Sequence, residues 1–167
     1  MILDLDRLGL PHGGGSARPV DICRSYLAGA GAVGNGFLWA LRYFDVRGRL
    51  DVVDFDVVTA ENLQRQIWFT EEDVGEAKAE RLVERARRAL PGVQLVPRVC
   101  RLQDLPEKGP GPWLRRLIVG VDSPRARRAL QDEIPGEVFD ASTTGVSEIV
   151  LHHHRQPTEG ACQKVPA

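Results

Sequence analysis

The chain has 167 residues, 43% of them hydrophobic and 27% charged, with a formal net charge of −1. That length suits one domain with a real core, and the balanced charge gives no bulk electrostatic grip on nucleic acid or on an anionic membrane. No apolar run approaches the ~20 residues that cross a bilayer, and the opening "MILDLDRLGL" lacks the basic start and apolar core of a secretory signal; a cytoplasmic protein with no nucleic-acid or membrane partner is expected.

Residues 1–20 read as a flexible lead-in, with the turn-rich "PHGGGSARP" at 11–19. "DICRSYLAG" (21–29) reads as a buried strand running into a glycine loop, and "AVGNGFLWALRYFDV" (32–46) as a helix with Val33, Phe37, Leu41 and Phe44 at helical spacing. "RLDVVDFD" (49–56) is a second strand ending in acids. "GEAKAERLVERARRALPG" (75–92) is an amphipathic helix with Leu82, Ala86, Ala89 and Leu90 on one face, stopped by Pro91 and Gly92. Its Arg81, Arg85, Arg87 and Arg88 read as a solvated face. "VQLVPRV" (93–99) and "LRRLIVGVD" (114–122) are the third and fourth strands. "SPRARRALQDEI" (123–134) is a helix with Ser123 as N-cap and Pro124 at the first helical position. "GEVFDAS" (136–142) and "SEIVLHHHR" (147–155) are the fifth and sixth strands. Strands alternating with helices imply parallel β-α-β units with right-handed crossovers. The expected class is therefore α/β: a Rossmann-type, doubly wound, mostly parallel sheet with helices on both faces.

The three cysteines, Cys23, Cys100 and Cys162, are widely spaced, which suits a reducing compartment better than a disulfide framework. Cys23 and Cys100 fall in predicted strands and read as buried core thiols. The run His152-His153-His154 reads as a solvated or edge strand. Neighbouring side chains on a strand point to opposite faces, so the three cannot chelate one ion together.

The loop "LAGAGAVGNG" (27–36) is Gly-x-Gly-x-x-Gly, with Gly29 for the turn, Gly31 for backbone approach to a phosphate and Gly34 for close packing of helix on strand. The helix start then offers free N–H groups to an anion. Asp54 ends the second strand about 20 residues later, where a carboxylate accepts hydrogen bonds from ribose hydroxyls. The bland alternative is a glycine turn that packs two elements and binds nothing.

The segment 53–82 separates ATP from a dinucleotide. Asn62, Arg65 and Gln66, if 60–66 forms a helical turn, share one face and suit a polyphosphate, Arg by its permanently charged fork of donors. Lys78, in the first turn of the next helix, could reach the same phosphates.

"DFDxVxxxNLxRQ" followed by "VGxxKxE" resembles the ThiF/MoeB/HesA family of ubiquitin-activating-enzyme-like adenylyltransferases. The match is carried by Asp54-Phe55-Asp56, Val58, Asn62-Leu63, Arg65-Gln66, Val74-Gly75, Lys78 and Glu80. With the glycine loop and "VGVDSPRAR" (119–127) the resemblance covers roughly 22–162. It implies ATP-dependent adenylation of the C-terminal glycine carboxylate of a ubiquitin-like or sulfur-carrier protein by residues 21–167, with ATP and Mg²⁺ as cofactors and a homodimer or pseudo-dimer as assembly. By the same resemblance, Gly29, Gly31, Gly34, Asp54, Asp56, Asn62, Arg65, Gln66 and Lys78 bind nucleotide. Arg65, Lys78 and Asp122 act catalytically, and Asp122 holds Mg²⁺.

The chain departs from the family at "CQKV" (162–165), where relatives often have a zinc-binding Cys-x-x-Cys pair, and it stops where relatives continue. The expectation is a C-terminally incomplete adenylation domain with no zinc site and no thioester cysteine. Relatives often take an arginine from a partner's N-terminal segment, for which Arg7 and Arg18 are the candidates. Two other readings stand beside adenylation: a non-catalytic nucleotide-binding scaffold subunit, and an NAD-type oxidoreductase domain.

Overall fold

The computed structural model describes residues 19–108, 113–133, 135–144 and 148–155. Residues 1–18 of the lead-in, with Arg7 and Arg18, and the terminal Cys162 lie outside them, while Val20 already belongs to the first strand. Six strands and three helices follow in the order β1 (Val20–Ala28), α1 (Ala32–Leu41), β2 (Val46–Val53), α2 (Lys78–Arg87), β3 (Val93–Arg98), β4 (Arg116–Val119), α3 (Pro124–Gln131), β5 (Glu137–Thr144) and β6 (Glu148–Arg155). They form one sheet in the order β3-β2-β1-β4-β5-β6. All neighbours pair in parallel except β5 and β6, which are antiparallel and leave β6 at the edge of the described sheet.

Period-2 alternation sorts the strand side chains onto two faces. Leu27, Leu50, Val52, Leu95 and Ile118 pack with Leu38 of α1 and Leu82, Val83 and Ala86 of α2. Tyr26, Ala28, Val53, Leu117, Val119 and Val138 pack on the other face with Leu130 of α3 and with Leu102 and Leu105 from the turn after β3. Helices thus cover both faces, and each fully buried leucine contributes on the order of 1.5–3 kcal/mol relative to exposure. The chain turns from the β3 side to the β4 side of β1, so the order reverses between β1 and β4 as in a doubly wound Rossmann-type sheet.

Three expectations change. The first helix ends at Leu41 rather than running to 46, because Arg42, Tyr43 and Phe44 close short turns onto Trp39, Ala40 and Leu41. Cys23 is no core thiol. It sits exposed at φ +52° where the β1–β2 register slips between Asp21 and Arg24, so the bulge turns its side chain out of the core. Cys100 is half-buried, and burial pushes its thiol pKa up. Arg81 and Arg85 are not a merely solvated face either: both bind the fully buried Asp73 carboxylate, at 2.7 and 3.1 Å. On β6, His152 and His154 stack with ring centroids 6.4 Å apart. His153 lies against Phe139 at 4.4 Å and pairs with Glu137.

Candidate nucleotide-binding site

The glycine loop follows β1, Asp54 follows β2, and Gly120 and Asp122 follow β4, so the carboxyl ends of three adjacent parallel strands meet at the point where strand order reverses. Ligands of open α/β sheets bind in that crevice. Gly29 stands at φ +101°, and a Cβ there would press on the Gly120 carbonyl at 2.9 Å. Gly34 could carry no Cβ without colliding with the Gly29 carbonyl oxygen. These two glycines are explained by packing inside the chain. Gly31 is not: a Cβ there would meet only the Gly120 oxygen, at an ordinary 3.9 Å. Gly31 is the N-cap of α1, and its side of the helix has no side-chain cap. The uncapped first-turn amides are available to an anion.

Asp54 holds the loop. One carboxylate oxygen accepts from the Ala30 amide at 2.6 Å and the other from the Asp56 amide at 2.8 Å. Burial pushes its pKa above the usual aspartate value, and the two amides only partly offset this. Each oxygen keeps a second lone pair for a hydroxyl.

Between β2 and α2 the chain makes a closed arm, residues 59–74. Its base is shut by the antiparallel bridge Val57–Ala77 and by the Lys78 amide on the Asp56 carbonyl at 2.9 Å. Lys78 is largely buried, and its Nζ lies 3.3 Å from the Asp56 carboxylate. Within the arm a short 3₁₀ turn at Ala60–Asn62 continues through Asn62-carbonyl bonds from the Arg65 and Gln66 amides. Asn62 and Gln66 point inward, while Arg65 is exposed and donates to the Glu61 carbonyl at 2.8 Å. The structure therefore groups the two amides and leaves the guanidinium on the rim. Asp122 is exposed just beyond β4.

The side-chain oxygens of Asn62 and Gln66 are buried and have no hydrogen-bond partner. Unpaired buried polar atoms are costly. Half a turn of either amide about its last torsion exchanges the oxygen for an NH₂ donor. Together with the uncapped helix start and the clear space at Gly31, this polar surplus fits a nucleotide. Asp122 fits Mg²⁺ as the single carboxylate of an ion whose other ligands are phosphates and water; among the described residues no group of three or more His, Cys, Asp or Glu could hold a metal unaided.

Two contributors escape a reading of the sequence. Gly120 is legible as a strand-end glycine, but its approach to Gly29 depends on β4 lying next to β1. Asn35 is fully buried in the first turn of α1. Its Nδ2 donates to the Ala30 and Gly31 carbonyls at 2.8 and 3.0 Å, and its Oδ1 accepts from the Trp68 amide at 3.1 Å. The only sequence signal was a polar, weakly helix-forming residue at a helix start. A small hollow lined by Leu117, Arg127, Leu130, Pro135, Val138 and His152 lies on the α3 side and shares no residue with the loop or the arm; the chemistry tracks the strand ends rather than that hollow.

Comparison with known proteins bears on the fold and the family. The Sinorhizobium fredii protein y4jF is 33% identical over 127 residues, 75% of this chain and 24% of that protein. The NEDD8-activating enzyme E1 catalytic subunit of Dictyostelium discoideum is 36% identical over 103 residues, 60% of this chain and 22% of that protein. The chain thus spans about a quarter of the length of these curated relatives. The crystal structure of E. coli MccB with AMPCPP and selenomethionine MccA shares the fold at a TM-score of 0.56 and 20% identity, over 72% of this chain and 37% of that one. The ThiF family model matches residues 18–134, most of the chain, and this protein belongs to the ThiF family.

Proposed function

We propose that the chain binds ATP and adenylates the C-terminal carboxylate of a ubiquitin-like or sulfur-carrier protein, or of a peptide, releasing pyrophosphate. The observation that carries the reading is the joining of loop and arm: Asp54 ties the end of β2 to Ala30, and Asn35 ties the arm to the same loop through Trp68. Relatives support it. One is by name a NEDD8-activating enzyme, and MccB has been crystallised with ATP.

In this reading the first-turn amides of α1 receive the phosphates, and Asp54 accepts from the ribose hydroxyls. A tail carboxylate oxygen bonds to the α-phosphorus while the bond to the β-phosphate oxygen breaks and pyrophosphate leaves with that electron pair. The nucleophile is already an anion at neutral pH, so no general base is needed. Asn62, Gln66 and Lys78 hold the departing phosphates. Arg65 joins them by releasing the Glu61 carbonyl, a side-chain rotation open to an exposed group. Donors that meet charge as it develops lower the barrier more than they tighten ground-state binding. Mg²⁺ on Asp122 supplies further charge neutralisation when bound. A homodimer or pseudo-dimer in the cytoplasm belongs to the same reading.

The test is isotope exchange between pyrophosphate and ATP in the presence of candidate carriers with a free C-terminal glycine. Exchange that depends on the carrier and vanishes when its terminus is amidated is the expected result. Tight ATP binding with no exchange for any carrier overturns catalysis and leaves a nucleotide-binding scaffold subunit, which the docking of Arg65 on its own backbone favours. Stabilisation by NADH and not by Mg-ATP points instead to a dinucleotide domain.

A further inference from the structure

The contacts of Asn35 go beyond what a buried helix residue needs. It is fully buried, yet three of its side-chain hydrogen-bonding positions are used, two on the loop and one on the arm. Its own carbonyl adds a fourth contact, accepting from the Trp68 indole Nε1 at 3.1 Å. On its outer side Trp68 is held edge-on to Trp39 at 5.5 Å, with the Arg42 guanidinium 4.0 Å from the Trp39 ring centre and 5.8 Å from that of Trp68. Trp68 follows Gln66 by two residues, and the Phe69 amide bonds back to the Gln66 carbonyl at 3.0 Å. Any tilt of the arm against the loop must therefore break a bond to Asn35.

We infer that Asn35 is a positioning residue that fixes the arm carrying Asn62, Arg65 and Gln66 against the glycine loop, and so sets affinity for the triphosphate rather than for the nucleoside. The inference rests on the nucleotide reading above. The nucleoside is held at Asp54, which Asn35 meets only through Ala30, whose amide donates to Asp54 and whose carbonyl accepts from Asn35. The phosphates need loop and arm at once, and a misplacement of about 1 Å is enough to cost such contacts most of their value. A polar residue kept only for core satisfaction would not discriminate between the two parts of the ligand.

The experiment compares the affinities of ATP and adenosine, by calorimetry and NMR titration, in the wild type, Asn35→Ala and Trp68→Phe. Asn35→Ala is expected to weaken ATP by about tenfold or more while adenosine changes less than about twofold. Trp68→Phe keeps an aromatic in place while removing the indole donor and part of the ring, and it leaves the Asn35 side chain intact, so it serves if the first variant does not fold; it is expected to shift the ratio the same way by about threefold. Hydrogen exchange at the amides of 62–68 should quicken in both without ligand. Equal weakening of ATP and adenosine, or unchanged ATP affinity with a folded variant, overturns the positioning role while leaving the nucleotide reading intact. A wild type that binds no ATP overturns the reading itself, and the inference with it.

Discussion

Gly31 and Gly34 sit three residues apart, at the N-cap and in the first turn of α1, and physics separates them. A side chain at Gly34 meets the Gly29 carbonyl, while one at Gly31 meets nothing closer than 3.9 Å. Gly34→Ala is expected to lower stability by ~1–3 kcal/mol through overpacking. Gly31→Ala is expected to leave stability within ~0.5 kcal/mol and to weaken Mg-ATP about tenfold or more, because the added methyl faces the helix start and not the core. Thermal unfolding and calorimetry on the two variants check this, and equal destabilisation would remove Gly31 from the phosphate site. Arg65→Ala is expected to lower pyrophosphate exchange on the order of 10²-fold, the scale of one lost charge-stabilising donor, with little change in melting temperature. A near-normal rate would take Arg65 out of its assigned role. The sequence pattern named these residues because spacing and charge type are local properties. It could not say that Arg65 turns outward while Asn62 and Gln66 turn in.

The arm between β2 and α2 contains only short 3₁₀ turns, at Ala60–Asn62 and Glu71–Asp73, and it is held by a buried charge. Asp73 closes a capping box with Thr70 and accepts from Arg81 and Arg85. Burial alone would push its carboxyl up; the Thr70 amide and the two guanidinium groups outweigh that and hold it at about 2. A folded value below the unfolded 3.8 means the stabilisation is fully present above pH 3.8 and is lost as pH falls from there through about 2. Asp73→Asn is therefore expected to cost ~1–2 kcal/mol at neutral pH, the scale of a lost helix cap. The gap between variant and wild type should close as pH approaches 2. Urea midpoints measured across that range check it, and a gap independent of pH would contradict the charge account. None of this was legible beforehand. Arg81 and Arg85 lie on the polar side of α2 in any helical projection, and only the path of the arm brings Asp73 beneath them.

At the scale of the molecule, the reading requires that folding and nucleotide binding be linked. Mg-ATP at a hundredfold excess over its dissociation constant stabilises the folded state by about 2.7 kcal/mol. For a chain of this size that corresponds to a rise of about 5–10 °C in melting temperature. NADH at the same concentration is expected to give no comparable rise, and the reverse pattern would return the fold to dinucleotide chemistry. A second charge cluster braces the opposite face of the sheet: the buried Asp51 carboxylate takes bonds from Arg49 and Arg98, and Arg98 and Arg24 reach Glu107 beyond the turn after β3. The alternation of strands and helices, the glycine loop with its acid, and the family motif were legible before folding, because each is written in periodicity or spacing along the chain. That Gly120 presses on Gly29, that Cys23 is turned out by a bulge, and that Asn35 clasps Trp68 emerged from the folded chain alone. Those are meetings of residues far apart in the chain, and they depend on strand order, register and the route of the arm, which no local pattern encodes.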